Sequence, residues 1–404
     1  MQGINQYLLL VLWTLWLVIS ALSTFGAIYY GRWLGRRKPF NKTPFVAVII
    51  PIRGVPESLP DLWEALCAQT YKNWRLIFSL EAKTDPAYTA LSKLIAKSRP
   101  VSSVEIVIAG LATDTCQLNH NHLAAVGTLR PSDEIVVFSV SDIVPPPEWI
   151  EQTIEPLDKP DVWIVSAIRF LYPIDDRLST AFAAAMDITI ATLPRRPNRF
   201  SVAWGGTMAL RHETLDALGM ERWWRGALTD DLTLTHAIKQ RGGFVLGRRM
   251  RLLPSPESCS WQELWSAWRR WYLIIRLYAP VVWLGAAAAT TLPIVAWLTA
   301  IPQALMGNRF AIGALAAAFV LNQLRATFRD RLRRTLPAAA RLRWVAIIDR
   351  WATPLRLILQ CALLWASLFA RTTRWGGRVY RVDGPWRVSI VEGPGIESPA
   401  GVTR

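Results

Sequence analysis

Cysteine and histidine are scarce in this chain, four of each in 404 residues. Cys67, Cys116, Cys259 and Cys361 form no CxxC pair and no mixed His/Cys cluster. That argues against a zinc site and predicts reduced thiols, mostly in the core. Acidic side chains are also the minority: 30 Asp and Glu stand against 46 Lys and Arg, a formal charge of +16. Such a balance can mark a nucleic-acid binder. Here much of the excess lies beside apolar blocks, where attraction to anionic lipid accounts for it, so nucleic acid is not an expected partner. The opening MQGINQ has no basic side chain, and the charge-free run that follows at 7–30 is too long for a cleaved leader. A bilayer span needs about 20 apolar residues, so 7–30 reads as a retained span.

What is present sorts into membrane and soluble parts. The stretch GRWLGRRK after the first span is basic, which places residue 31 onward on the cytoplasmic side. Further apolar blocks lie at 280–301, 309–324 and 352–370. The basic stretch RATFRDRLRRTLPAAARLR at 325–343 reads as a cytoplasmic loop. If the last block spans, the basic tail RTTRWGGRVYRV emerges on the opposite side, against the charge rule; if it lies in the interface, it does not. The sequence leaves both open.

Between 44 and 275, short apolar runs alternate with helix-length segments. FVAVIIPI (45–52), WRLIFSL (74–80), VEIVIAG (104–110) and EIVVFSV (134–140) are expected strands. SLPDLWEALCAQ (58–69) is an amphipathic helix, and two more are expected at 86–96 and near 118–128. That alternation predicts βαβ units and a mostly parallel sheet. Ligands bind outside the carboxyl ends of such strands, which selects the residues there. They are Pro51 and Arg53 after the first strand, Glu81 and Asp85 after the second, and Asp142 after the fourth, where VVFSVSDIVPPPEW runs from a strand through one acid into three prolines. Trp204, Gly205 and Gly206 precede a short strand, and LTDDLTL opens a helix with Asp230 and Asp231 side by side. Separated acids at one sheet edge suit magnesium or manganese held jointly with a phosphate ligand. The bland readings are turn or cap roles: Asp142 before Pro145, Asp85 before Pro86, and Asp230–Asp231 in a helix first turn. His120 and His122 read as polar surface or pocket-edge residues.

At 259–278, CSWQELWSAWRRWYLIIRLY places Trp261, Leu264, Trp265, Trp268, Tyr272 and Ile275 on one helical face, with Arg270 almost opposite. Beside an adjoining span this predicts an interfacial helix whose Trp face meets lipid while Arg270 points into the soluble domain.

The ordered set VIIPIRG, QTYKNWRLIF, EAKTDPA, SDIVPPPEW, GGTMALRHETLDALG, TDDLTL and WRRW, with the ending RWGGRVYRV, resembles membrane glycosyltransferases of family 2. It is most similar to their ceramide-glucosyltransferase-like branch, family 21, which includes hopanoid-type enzymes. The resemblance implies an α/β GT-A (Rossmann-like) cytoplasmic domain with N- and C-terminal transmembrane helices. The expected division is an anchor and linker at 1–43, GT-A domain at 44–257, interfacial helix at 258–278, membrane helices at 279–371 and basic tail at 372–404. The resemblance further implies a multi-pass inner-membrane enzyme that moves a sugar, by inversion, from a nucleotide-sugar donor (UDP-sugar being the family expectation) to a lipid acceptor. A divalent cation, Mn or Mg, is its expected cofactor. By position Asp142 matches the acid for metal and diphosphate, and Asp231 the catalytic base with Asp230 beside it. Glu81 or Asp85 matches the acid near the nucleotide base, and Arg270 with Trp271 the end of a (Q/R)xxRW motif. Pro51 and Arg53 go with the donor; Trp204, Gly205, Gly206 and Trp268 go with the acceptor. Three positions depart from the family pattern: Val140 where an acid is usual, Ala267 for the leading polar residue, and Asn119 or His120 for a lysine. Val140 and Ala267 keep in view a catalytically weakened homologue that binds nucleotide or scaffolds membrane enzymes; the other alternative, a processive polysaccharide synthase of the same fold, usually needs more spans and an intact (Q/R)xxRW motif.

Overall fold

The computed structural model describes residues 2–33, 40, 42–101, 103–193, 200–336 and 342–394. The basic linker at 34–39 and the last ten residues, 395–404, lie outside these. Helix α1 (Gln2–Trp33) leads to the soluble part, where strands and helices alternate as the sequence pattern requires. Its first half is β1 (Val46–Pro51), α2 (Leu59–Cys67), β2 (Trp74–Leu80), α3 (Pro86–Lys97), β3 (Val104–Ile108), α4 (Gln117–Val126), β4 (Ile135–Ser139) and α5 (Trp149–Ile154). The second half is β5 (Val162–Pro173), α6 (Leu178–Ala191), β6 (Thr207–Arg211), α7 (His212–Leu218), α8 (Glu221–Trp224), α9 (Asp231–Gln240) and β7 (Phe244–Glu257).

The seven strands stand in the order β3-β2-β1-β4-β6-β5-β7. All pairings are parallel except those of β6, which runs against β4 and β5. Every residue of β1, β2 and β4 is buried, because helices cover both faces. That is why these strands read as continuous apolar runs rather than alternating ones. The chain leaves β1 in one direction along the sheet and returns to β4 on its other side, which makes the carboxyl ends of β1 and β4 the switch point. Because β6 is antiparallel, its amino end, with Gly205 and Gly206 just before it, falls at the carboxyl end of β4: Ser139 pairs with Thr207. Strand β4 stops at Ser139, so Asp142 sits in a turn beyond it rather than on the strand.

The membrane arm follows as α10 (Trp261–Tyr278), α11 (Pro280–Leu305), α12 (Arg309–Arg333), α13 (Arg343–Trp351) and α14 (Thr353–Leu368). Among the described residues, three helices are long and apolar enough to cross a bilayer: 6–32, 280–305 and 309–333. The pair α13–α14 is apolar enough together but bends by 88°. Pro354 sits in the first turn of α14; its ring disfavours helical geometry in the residue before it, which helps break the rod there.

Three expectations about this arm need correction. The basic stretch from 325 is not a loop: α12 continues through it to Arg333. Arg325, Arg329 and Arg333 are buried, because they recur every four residues on one helix face; Arg329 meets Asp349, Arg333 meets Asp349 and Asp330, and Arg325 bonds the neutral Asn322 and Thr353. The aromatic face of α10 does not all meet lipid. Trp261 and Trp265 are exposed, while Leu264, Trp268 and Tyr272 are buried, in one apolar cluster with α6 and α14. Of the cysteines, Cys116 and Cys259 are core thiols, whereas Cys67 is exposed.

The tail forms an antiparallel sheet of β8 (Thr372–Trp375), β9 (Arg378–Gly384) and β10 (Arg387–Glu392). It packs back on the soluble part. Val388 N–H donates to Gly226 O at 3.0 Å, Trp386 Nε1 to Trp223 O at 3.0 Å, and Gln117 N–H to Tyr380 Oη at 3.2 Å.

Candidate active site

A cavity of about 1190 Å³ opens at the carboxyl edge of the sheet and runs into the membrane arm. Its soluble end is lined by Asp142, Asp230, Asp231, Trp204, Gly205 and Gly206, with Pro51, Trp268, Arg270 and Trp271 on the same wall. Its other end is lined by Trp16 of α1, Pro293 and Trp297 of α11, Phe319 of α12 and Leu357 of α14. The structure therefore brings together most of the residues selected from the sequence. Arg53, Glu81 and Asp85 are not on this wall.

Asp231 opens α9 and faces the cavity. One carboxylate oxygen accepts from Leu232 N–H at 2.6 Å and from the Thr229 hydroxyl, and the other accepts from Gly205 N–H at 2.9 Å. Burial, and then the charge of Asp230, push its pKa up to about 7 against those hydrogen bonds. A carboxylate poised near neutrality can take a proton at working pH. Gly205 lies against both acids: a Cβ added there would stand 3.4 Å from Asp230 Oδ1 and 3.6 Å from Asp231 Oδ2, ordinary contact distances.

Asp230 is the N-cap residue of α9, yet its side chain makes no cap bond. It faces His122 Nε2 at 3.2 Å instead. His122 is 1% exposed, packed edge-on to Phe138 and against Trp224, so of its two expected places the surface is excluded, while its contact with cavity-lining Asp230 agrees with the pocket edge. The signal was there: Gln117, Asn119, Asn121 and His122 put four buried polar groups on the short α4. His120, the other candidate, is half-buried and bonds Ala109 O at 2.9 Å.

Asp142 is ion-paired with Arg169 of β5, a residue the sequence reading passed over although it is a lone charge in an apolar strand. The Arg169 guanidinium lies 5.9 Å from the Trp204 ring centre and 5.6 Å from that of Trp271, and its Nε has no hydrogen-bond partner among the described residues. Arg270 lies over Trp375 of the tail at 5.1 Å and donates to Arg374 O at 3.3 Å. Burial, and then Arg169, lower its pKa to about 10, so it stays charged at neutral pH. Glu257 is pushed up to about 7 by burial.

The fit of a divalent cation follows from this donor set. No group of three or more His, Cys, Asp or Glu among the described residues is arranged to hold one. Such ions need only one or two carboxylates when substrate phosphates supply the remaining oxygens. Asp142, with its side chain 41% exposed, fits that role provided it lets go of Arg169.

Of the two acids after β2, Asp85 caps α3. Its Oδ1 accepts from Ala87 N–H at 2.8 Å and Gly54 N–H at 2.9 Å, which favours the cap reading over a nucleotide contact. Glu81 lies 3.5 Å from Arg53 and 2.8 Å from Arg378 of β9.

A mostly parallel α/β sheet with paired acids at its switch edge, half-buried arginines beside them and a cavity entering apolar helices has the form of a group-transfer enzyme with a membrane arm. The chain belongs to glycosyl transferase family 21, whose family model matches residues 11–387. It is thus a nucleotide-sugar glycosyltransferase with the GT-A fold expected from its motifs. Solved structures similar to it include the mannosyltransferase PcManGT from Pyrobaculum calidifontis, in complex with GDP-Man and Mn2+. That match has 17% identity over 85% of this chain and 99% of that one, at a TM-score of 0.46. Another is glucosyl-3-phosphoglycerate synthase from Mycobacterium tuberculosis with Mn2+, UDP-glucose and phosphoglyceric acid, with 13% identity over 58% and 82%, at a TM-score of 0.36. No curated protein matches the chain.

Proposed function

We propose that this enzyme moves one sugar from a nucleotide-diphosphate donor, with UDP the expected class, onto the hydroxyl of a membrane lipid such as a ceramide-like or hopanoid acceptor. The observation that carries this reading is the continuity of the cavity from Asp231 to α1, α11, α12 and α14. A polar donor can enter from the sheet edge and an apolar acceptor from the membrane arm, so the two meet at the acid pair.

The chemistry follows from the placement. The acceptor oxygen attacks the anomeric carbon, the bond from that carbon to the donor diphosphate breaks, and the configuration inverts. Asp231 takes the acceptor's proton, and Thr229, Gly205 and Leu232 hold its carboxylate in place. Asp230, fixed by His122, keeps Asp231 basic through its charge. Charge that develops on the leaving diphosphate is met by Arg270, whose planar fork suits phosphate oxygens. A magnesium or manganese ion held by Asp142 would add Lewis-acid neutralisation of the same diphosphate. Trp204, Trp268 and Trp271 shape the acceptor side.

Three crossings and the basic flanks support an inner-membrane protein with its catalytic domain in the cytoplasm. The tail's bonds to Gly226, Trp223 and Gln117 support a reading in which α13–α14 enter and leave on one face, in keeping with the charge rule for the basic tail.

The test is sugar transfer by the protein in lipid nanodiscs, with a panel of UDP-sugars and a total lipid extract, in manganese, magnesium or chelator. The expected outcome is a radiolabelled glycolipid that disappears in Asp231→Asn and falls sharply in Asp142→Asn. Transfer that survives Asp231→Asn would remove the base assignment, and label found in polymer rather than lipid would favour a processive synthase.

A further inference from the structure

The membrane end of the cavity is not uniformly apolar. Arg325 of α12 and Arg356 of α14 line it, only 7% and 1% exposed. Neither has a carboxylate partner among the described residues. Arg325 donates to Asn322 Oδ1 and to Thr353 Oγ1 at 3.4 Å; Arg356 donates to Gln360 Oε1 at 2.8 Å. The Nε of each lacks any hydrogen-bond partner there. The nearby acids already serve other arginines: Asp349 takes Arg329 at 2.9 Å and Arg333 at 3.1 Å, and Asp330 takes Arg333 and Arg350, the latter at 2.7 Å. Five guanidiniums thus share two carboxylates, leaving a charge excess of three beside membrane-spanning helices.

Buried arginines without counter-ions are costly, and in a membrane they mark ligand sites. The backbone adds a second attraction. The break at Ala352 starts a new 16-residue helix, α14, with Thr353 and Pro354 on the cavity wall and no side chain capping its first turn. A helix N-terminus inside a membrane arm attracts anions chiefly through its dipole here, since Pro354 has no N–H and Arg356 N–H bonds Ala352 O at 3.0 Å. Asn322, Thr353 and Gln360 supply neutral hydrogen-bonding groups around the same cup. Apolar Phe319, Leu357 and Ile358 surround it, as alkyl chains require.

We propose that this cup binds the phosphate of an anionic membrane lipid, held by Arg325 and Arg356 against the start of α14. Arg325 and Arg356 line the same cavity as Asp142 and Arg270 but are not among the groups proposed for the donor. The lipid site stands whether or not the bound lipid is the molecule glycosylated, so its failure leaves the transfer reading intact.

The experiment measures saturable binding of phosphatidic acid and of diacylglycerol with the same chains, by native mass spectrometry of the full-length protein. The two lipids differ by the phosphate alone. Retention of phosphatidic acid at least tenfold above diacylglycerol, undisturbed by inorganic phosphate at the same concentration, is the expected result. Loss of that preference in Arg325→Gln with Arg356→Gln, while UDP binding stays within twofold, assigns it to these side chains. Equal retention of the two lipids would overturn the proposal. So would displacement by inorganic phosphate, which would leave a bare anion pocket, or a parallel loss of UDP binding, which would move the arginines to the donor site. If the double variant fails to fold, the wild-type comparison still decides.

Discussion

Protonation of Asp231 should govern the acid side of the pH profile. Its carboxyl is pushed up to about 7, by burial first and Asp230 second. A base must be ionised to accept a proton, so kcat/KM should fall about tenfold for each pH unit below that value. At pH 6 the enzyme should keep about a tenth of its plateau activity. Asp230→Asn removes the second cause and leaves the first, so the limb should move to lower pH by roughly one unit. The plateau should persist, because Asn can still hydrogen-bond His122. Asp231→Asn should cost about 10²–10⁴ in kcat with no acid limb left. Stability gives a separate readout. The folded chain binds this proton more tightly than the unfolded chain, so the contribution of Asp231 to stability falls as pH rises from the ordinary carboxylate range through about 7. Asp231→Asn should therefore raise the thermal midpoint at pH 8 while removing activity. A wild-type limb near pH 4, or one that does not move in Asp230→Asn, would refute the reasoning.

Arg270→Gln should lower kcat by about a hundredfold, the loss expected when one donor to a developing oxyanion is removed, with folding intact by circular dichroism. Arg169→Gln frees Asp142 from its ion pair, so a manganese titration of activity should half-saturate at a several-fold lower concentration; a higher one would show that Arg169 supports the metal site rather than competing with it. Gly226 adopts φ +65°, and a Cβ there would lie 2.6 Å from Trp386 O. Gly226→Ala should cost about 1–3 kcal/mol and loosen the tail, read as faster proteolytic cleavage between 372 and 392.

The sheet was legible because its strands are buried on both faces: β1 and β2 fall within a residue of the apolar runs that predicted them. Asp142 and Asp231 were legible because a doubly wound sheet fixes where ligands sit. Side chains that matter through distant partners were harder. His122 is 108 positions from Asp230, and only the helix-turn geometry at α9 shows that Asp230 turns away from capping. Arg325, Arg329 and Arg333 read as part of a cytoplasmic loop from their density of positive charge, whereas their repeat of four puts them on one helix face. The α10 stripe showed amphipathicity, but periodicity cannot say whether the apolar face meets lipid or protein, and α14 covers its middle.

The tail depends on the break in the last apolar block, where α13 and α14 meet at 88°. Trp375 lies on the cavity wall, and Arg270 lies over its ring. Arg378 meets Glu81 at 2.8 Å, and Gly377 lies so close to Arg53 that a Cβ would force that guanidinium away. All three contacts fall at the carboxyl edge of the sheet, and all depend on β8 and β9 returning there directly after α14. A straight helix from Arg343 to Leu368 would carry the tail away from the sheet and leave Arg270 without its backing ring. The 88° bend keeps the tail at that edge and, by the same geometry, starts α14 at the proposed arginine cup. One break in the chain thus serves both ends of the cavity.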